Sequence, residues 1–226
     1  MKKLLVATAI SMAMSVTAAH AADTAVLKVQ GKLTNASCTP TLSNGGIVDY
    51  GTVYLGELSA TTTNQLGDRD ASLTITCSSP TKVAWSVVDD RADSATSNVN
   101  VKLGLITGYG AYPDTYGLGK TTGGVSIGTW GFYFPSDHVP TVDGNQARMI
   151  ETNSSGTWQQ ASYTVDHRDY TMVSLSTATQ GQASPDAFTE AVFPFKVSAA
   201  IDNTTRLAIT DDTQLDGQAT FILKYL

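Results

Sequence analysis

The last dozen residues of the chain, Leu215 to Leu226, limit what it can fold into more than any other stretch. Read in steps of two, Leu215, Gly217, Ala219, Phe221, Leu223 and Tyr225 fall on one face. Asp216, Gln218, Thr220 and Lys224 lie between them, with Ile222 out of pattern. Successive side chains of an extended chain point to opposite faces, so this period predicts a half-buried strand. Burying one large apolar side chain is worth roughly 1.5–3 kcal/mol. Leu215, Phe221, Leu223 and Tyr225 together are then worth on the order of 6–12 kcal/mol, comparable to the stability of a whole domain. Chain ends usually fray and can be dispensed with. This one has to be docked.

At the other end, Lys2 and Lys3 precede an apolar run from Leu4 to Val16, and Ala19-His20-Ala21 has the small residues of a cleavage site. The pattern predicts a secretory signal peptide over residues 1–21, with Ala22 a close competitor for the cut. The alternative, a membrane anchor, is opposed by the run's length, which is too short to cross a bilayer. Loss of the leader leaves 205 residues with 12 basic and 20 acidic side chains, a net charge of −8. An acidic chain without a basic run is repelled by phosphate backbones, so nucleic acid is not an expected partner. Segments of two-residue period alternate with turn clusters and no long helical period occurs, which predicts an all-β sandwich.

A second apolar ladder follows the leader: Ala25, Leu27, Val29, Gly31 and Leu33, with Lys28, Gln30 and Lys32 between them and Val26 out of step. It reads equally as the sandwich's own first strand or as a segment given to another molecule. Cys38 and Cys77 are the only cysteines, in a chain addressed to an oxidising compartment, where a disulfide is the default. A metal pair or a free nucleophile are the alternatives, and two cysteines without a nearby histidine make a poor zinc site.

These features together resemble the chaperone–usher pilus subunits. The shared features are Gly217, the Ala219/Phe221/Leu223 ladder and the penultimate Tyr225 at one end, and the Gly31-bearing ladder at the other. The chain is also similar to a group of fimbrial-type secreted proteins with a Cys-Thr-Pro-Thr-Leu opening, here Cys38 to Leu42. The likeness covers residues 22–90 and about 187–226. It implies an immunoglobulin-like β-sandwich over 35–226 lacking its final strand, with residues 22–34 as a donor strand and a disulfide joining the first two strands. It also implies an open groove between the first strand and Leu215–Leu226. A periplasmic pilus chaperone would fill the groove first, and the ladder of a neighbouring subunit would replace it at an outer-membrane usher. The resulting head-to-tail fibre would stand at the cell surface and contribute to adhesion to an unidentified receptor. No catalytic residue, metal or cofactor is expected.

Between the ends, Ser59 to Asp70 reads as a polar loop, Ala71–Cys77 as a strand and Ser79-Pro80 as a turn before a further strand at Val83–Val87. Residues 91–186 read as extra hairpins or long loops, with strands near 99–105, 126–134, 161–165 and 170–176, a Tyr/Gly/Pro-rich loop over 108–124 and a polar connection over 135–157. Phe193 to Ile201 reads as a core strand. Two other functions compete. A self-complemented monomer would fill its own groove with residues 24–33. A secreted hydrolase would use Ser126 in Gly124-Val125-Ser126-Ile127-Gly128, which matches the nucleophile elbow, although the elbow needs a helix after it and residues 129–135 read as strand. His138 and His167 read as exposed loop residues, and Asp89–Asp93 and Asp211-Asp212 as solvated turns lacking calcium-loop spacing. Trp85 reads as core, and Trp158 as the tryptophan best placed for an exposed platform. The sequons headed by Asn35, Asn153 and Asn203 are expected to go unused.

Overall fold

The structure, a computed structural model, describes residues 27–31, 36–104, 109–110 (backbone only), 114–152, 155–167, 171–178 and 183–226. The chain divides into two units, Met1–Thr34 and Asn35–Leu226. In the first, residues 27–31 form no strand pairing, and Leu27 and Val29 are 90% and 91% exposed. Ala25 and Leu33 of the same ladder lie outside the described residues.

The second unit is an all-β sandwich. Its strands are β1 (Cys38–Leu42), β2 (Asn64–Asp89), β3 (Val101–Lys102), β4 (Tyr109–Gly110), β5 (Tyr116–Gly117), β6 (Gly128–Tyr133) and β7 (Thr141–Val142). They continue with β8 (Asn145–Gln146), β9 (Arg148–Thr152), β10 (Trp158–Gln160), β11 (Val173–Ser176), β12 (Ala187–Ile201) and β13 (Ala219–Tyr225). A single turn of helix, α1 (Thr204–Leu207), is capped by the Asn203 side chain accepting from the Arg206 N–H.

One strand serves both layers. The first part of β2 pairs with β1 and with β12, and β12 continues the sheet through β6 to β5. The last part of β2 pairs with β13 and touches β11, which leads through β9 to β10. Burial follows this division. Leu73, Ile75 and Cys77 alternate with more exposed neighbours, while Val83 to Val87 are buried without a break. Covered on both faces, that second stretch is apolar except for Ser86. At its centre Trp85 lies edge-on to Phe193 at 5.6 Å, with Phe221 at 5.3 Å and Phe134 at 6.3 Å, so residues of both layers meet on one indole.

Several expectations are corrected. No turn forms at Ser79-Pro80: β2 runs through it as one 26-residue strand. The register of β12 shifts there, between Phe188 and Glu190, so the proline, which has no N–H to give, falls where the ladder is interrupted. The polar loop ends at residue 63, because Asn64–Asp70 pairs with residues 196–201 of β12. The 91–186 region is not peripheral decoration, since β6, β9 and β11 are built into the two sheets. Within it the 108–124 stretch supplies the buried Tyr116 and Leu118, and the 135–157 stretch holds a hairpin and a sheet strand. His167 is buried, with its ring 5.3 Å from that of Tyr116.

Cys38 and Cys77 face each other across β1 and β2 and form the disulfide, closing a loop with a sequence separation of 39. A constraint of that length on the unfolded chain is worth about 4 kcal/mol. Replacing both cysteines with alanine should lower the unfolding free energy by roughly that amount in urea denaturation followed by circular dichroism.

Candidate functional site

Among the described residues β1 and β13 each pair with β2 and with no other strand, so each presents one unpaired edge. They occupy successive stretches of β2, at 73–77 and 83–89, and they meet where the Cys38 N–H donates to the Tyr225 hydroxyl at 2.8 Å. From that junction a groove opens between the two layers, apolar in its first two parts and partly polar in the third. It consists of three adjoining cavities. The first, of about 390 Å³, lies between Pro40–Leu42 and Phe221. The second, of about 220 Å³, is floored by Trp130, Phe132 and Phe195. The third, of about 410 Å³, continues between the 48–58 segment and residues 207–215. Neighbouring cavities share lining residues: Leu42 and Phe221 belong to the first two, and Val48, Tyr50 and Leu215 to the last two.

Each wall follows from the sequence beneath it. On β13 the apolar set Ala219, Phe221 and Leu223 packs on the core, with Phe221 5.7 Å from Phe132 and 6.2 Å from Phe195. The polar set holds the strand in register. Arg91 grips Asp216 with two hydrogen bonds of 2.9 and 3.0 Å, and Asp90 accepts from Gln218 and Thr220. Gly217 is glycine for a steric reason, since a Cβ there would stand 2.6 Å from Trp130 Nε1 and 2.8 Å from its Cδ1. The indole fills the space a side chain would take, and its N–H donates to the Gly117 carbonyl at 3.0 Å.

The opposite wall is pinned by Tyr50, whose hydroxyl lies 3.2 Å from the Gly67 carbonyl and 3.1 Å from that of Val197. Burial pushes its pKa up to about 12, against the pull of the Arg69 guanidinium, 4.8 Å above the ring.

Of the residues singled out from sequence, Leu215, Gly217, Ala219 and Phe221 line the groove, Leu223 packs on the core beside it, and Tyr225 closes one end. Cys38 and Cys77 fasten the β1 wall to β2. Sequence reasoning missed the floor, namely Trp130, Phe132, Phe195 and Val197. The alternation of Trp130, Phe132 and Phe134 was the available signal, but it marks a core face without saying that the face is left open. Ser126 bridges to Lys120 and the chain then enters β6, so no elbow between strand and helix is formed. Trp158 is half-buried in β10. Among the described residues no group of three or more His, Cys, Asp or Glu side chains is gathered to hold a metal.

The phenol of Tyr50 gives a pH signature. It would lose its proton near 10 when unfolded and only near 12 in the fold. Between those values the unfolded chain holds fewer protons, so Tyr50 makes stability fall as pH rises. A Tyr50→Phe chain should therefore lose less stability than the wild type from pH 10 to 12, read from urea midpoints across that range.

Residues 27–131 match the family described as a protein of unknown function, DUF1120. The chain is 33% identical over 244 residues to the protein named "Uncharacterized protein YhcF" of Escherichia coli (strain K12), spanning 99% of this chain and 98% of the relative. It is 28% identical over 256 residues to protein GltF of the same strain, spanning 100% of this chain and 99% of the relative. A likeness that runs nearly end to end makes this chain a member of the DUF1120 family.

Proposed function

We propose that this chain is a structural subunit of a surface fibre of the pilus type, exported through the periplasm and assembled by strand addition. One observation carries the reading: two unpaired strand edges flank a groove floored by the aromatic core. Open edges beside an apolar groove favour association, and soluble proteins normally cover or blunt them. An inserted strand would gain main-chain hydrogen bonds from the edges and pockets for its alternate side chains. The sandwich is then immunoglobulin-like and short of its last strand. Its 22–34 ladder is the donor, and a periplasmic chaperone and outer-membrane usher handle the groove before and during assembly. Leu27 and Val29, almost wholly exposed, have the alternation and apolar character such a donor needs.

The test is to append residues 24–33 to the C-terminus through a short flexible linker. A filled groove should raise the melting temperature by on the order of 10 °C, since burying several apolar side chains is worth several kcal/mol. Co-expression with a cognate chaperone should yield a complex for the intact chain and none after deletion of Phe221 to Leu226. An unchanged melting temperature in the fused chain would instead identify a self-complemented monomer.

A further inference from the structure

The groove is not electrostatically uniform along its length. At the end furthest from Tyr225, Asp49, Asp211 and Asp212 line the third cavity above an apolar bottom that includes Ile127 and Ile201. None of these three carboxylates forms an ion pair among the described residues, whereas Asp70, Asp93, Asp202 and Asp216 all do. Arg91 is paired with Asp216, and Arg69 lies over the ring of Tyr50, which lines the second and third cavities. The groove therefore ends in three carboxylates that have no ion-pair partner among the described residues.

The 22–34 ladder has the opposite sign. It contains Lys28 and Lys32 against the single Asp23, while residues 35–226 carry 10 basic and 19 acidic side chains. With Leu27, Val29, Gly31 and Leu33 turned into the groove, Lys28 and Lys32 point outward, toward the rim. Residues 24–34 match in length the stretch from Leu215 to Tyr225. An extended chain of that length spans roughly 35 Å. Laid antiparallel to β13, the segment brings Lys32 to the acidic end and Asp23 to the Tyr225 end. Laid parallel, it would press Asp23 against Asp49, Asp211 and Asp212.

We infer that the acidic end of the groove selects the lysine-bearing ladder of a second copy of this chain, making assembly homotypic and fixing the sense in which the strand enters. This rests on the strand-acceptor reading above. Charge pairs at an exposed rim act within a screening length of about 10 Å at moderate salt, so the selection is salt-dependent.

Full-length chains without the leader, refolded with the disulfide intact, provide the test by sedimentation velocity. One variant carries Lys28→Glu with Lys32→Glu, the other Asp211→Lys with Asp212→Lys. The wild type should assemble at low salt and roughly tenfold more weakly at about 1 M salt. Each variant alone should assemble roughly tenfold more weakly than the wild type, because its ladder and groove then carry like charges. An equimolar mixture should regain wild-type assembly, since each ladder then meets a groove of opposite sign. Variants that assemble alone as well as the wild type would overturn the inference, as would a mixture no better than its components. Melting curves with added peptides separate this from failure of the reading beneath it. If neither a 23–34 peptide nor its Lys28→Gln, Lys32→Gln form raises the melting temperature, strand acceptance itself fails. If both raise it equally, strand acceptance stands and charge selection alone fails.

Discussion

The fold depends on β2 lending its backbone to two sheets at once. A strand of 26 residues, about five times the usual length, cannot stay in one flat layer of so small a domain. It passes from one sheet to the other near Ser79-Pro80, and everything hydrogen-bonded to it is distributed between the layers. β1 lies on its first part and β13 on its last, so the two strands are neighbours along β2 but belong to opposite faces of the sandwich. They touch at Cys38 and Tyr225 and separate beyond. The opening between them follows from that division and needs no further distortion.

Both walls of the opening are held by interactions outside it. β1 is tied down by a covalent cross-strand bond, and β13 by a group of polar side chains at the end of β2. Neither anchorage uses the groove-facing backbone edges or the apolar floor. The Arg91–Asp216 pair is half in solvent and contributes little energy by itself. Its value is geometric, because it and the Asp90 hydrogen bonds fix which residues of β13 face inward. A one-residue slip would turn Thr220 and Lys224 to the core in place of Phe221 and Leu223.

Much of this could be read along the chain, but only where one face is buried and the other wet. The Ala71–Cys77 alternation met that condition; the 219–225 ladder forms the expected strand, but its inward set is only half-buried and Tyr225 is 55% exposed. Asn64–Asp70 did not meet it: its residues are half-buried or exposed, Leu66 is its one large apolar side chain, and its pairing with β12 makes it a strand. Ser79-Pro80 misled for a related reason. The dipeptide has turn chemistry, yet proline is compatible with an extended chain wherever its missing N–H has no partner to disappoint. His167 was misplaced because a polar neighbourhood in sequence says nothing about the Tyr116 ring brought to it from fifty residues upstream. The groove was legible in its Leu215–Tyr225 wall; its floor was not, because Trp130, Phe132 and Phe195 look like any other core residues.

The two sides of the groove come from opposite ends of the polypeptide, Cys38–Val53 on one and Ile209–Tyr225 on the other. A chain delivered across a membrane N-terminus first therefore presents one bank of the channel long before the other exists. Under the proposed export, Trp85 and Phe132 would lack the cover of Phe221 throughout that interval. Under that scheme residues 215–225 would complete the groove and cover Trp85 and Phe132 in the same step. In the export and strand-addition scheme proposed above, completion of translocation would time binding.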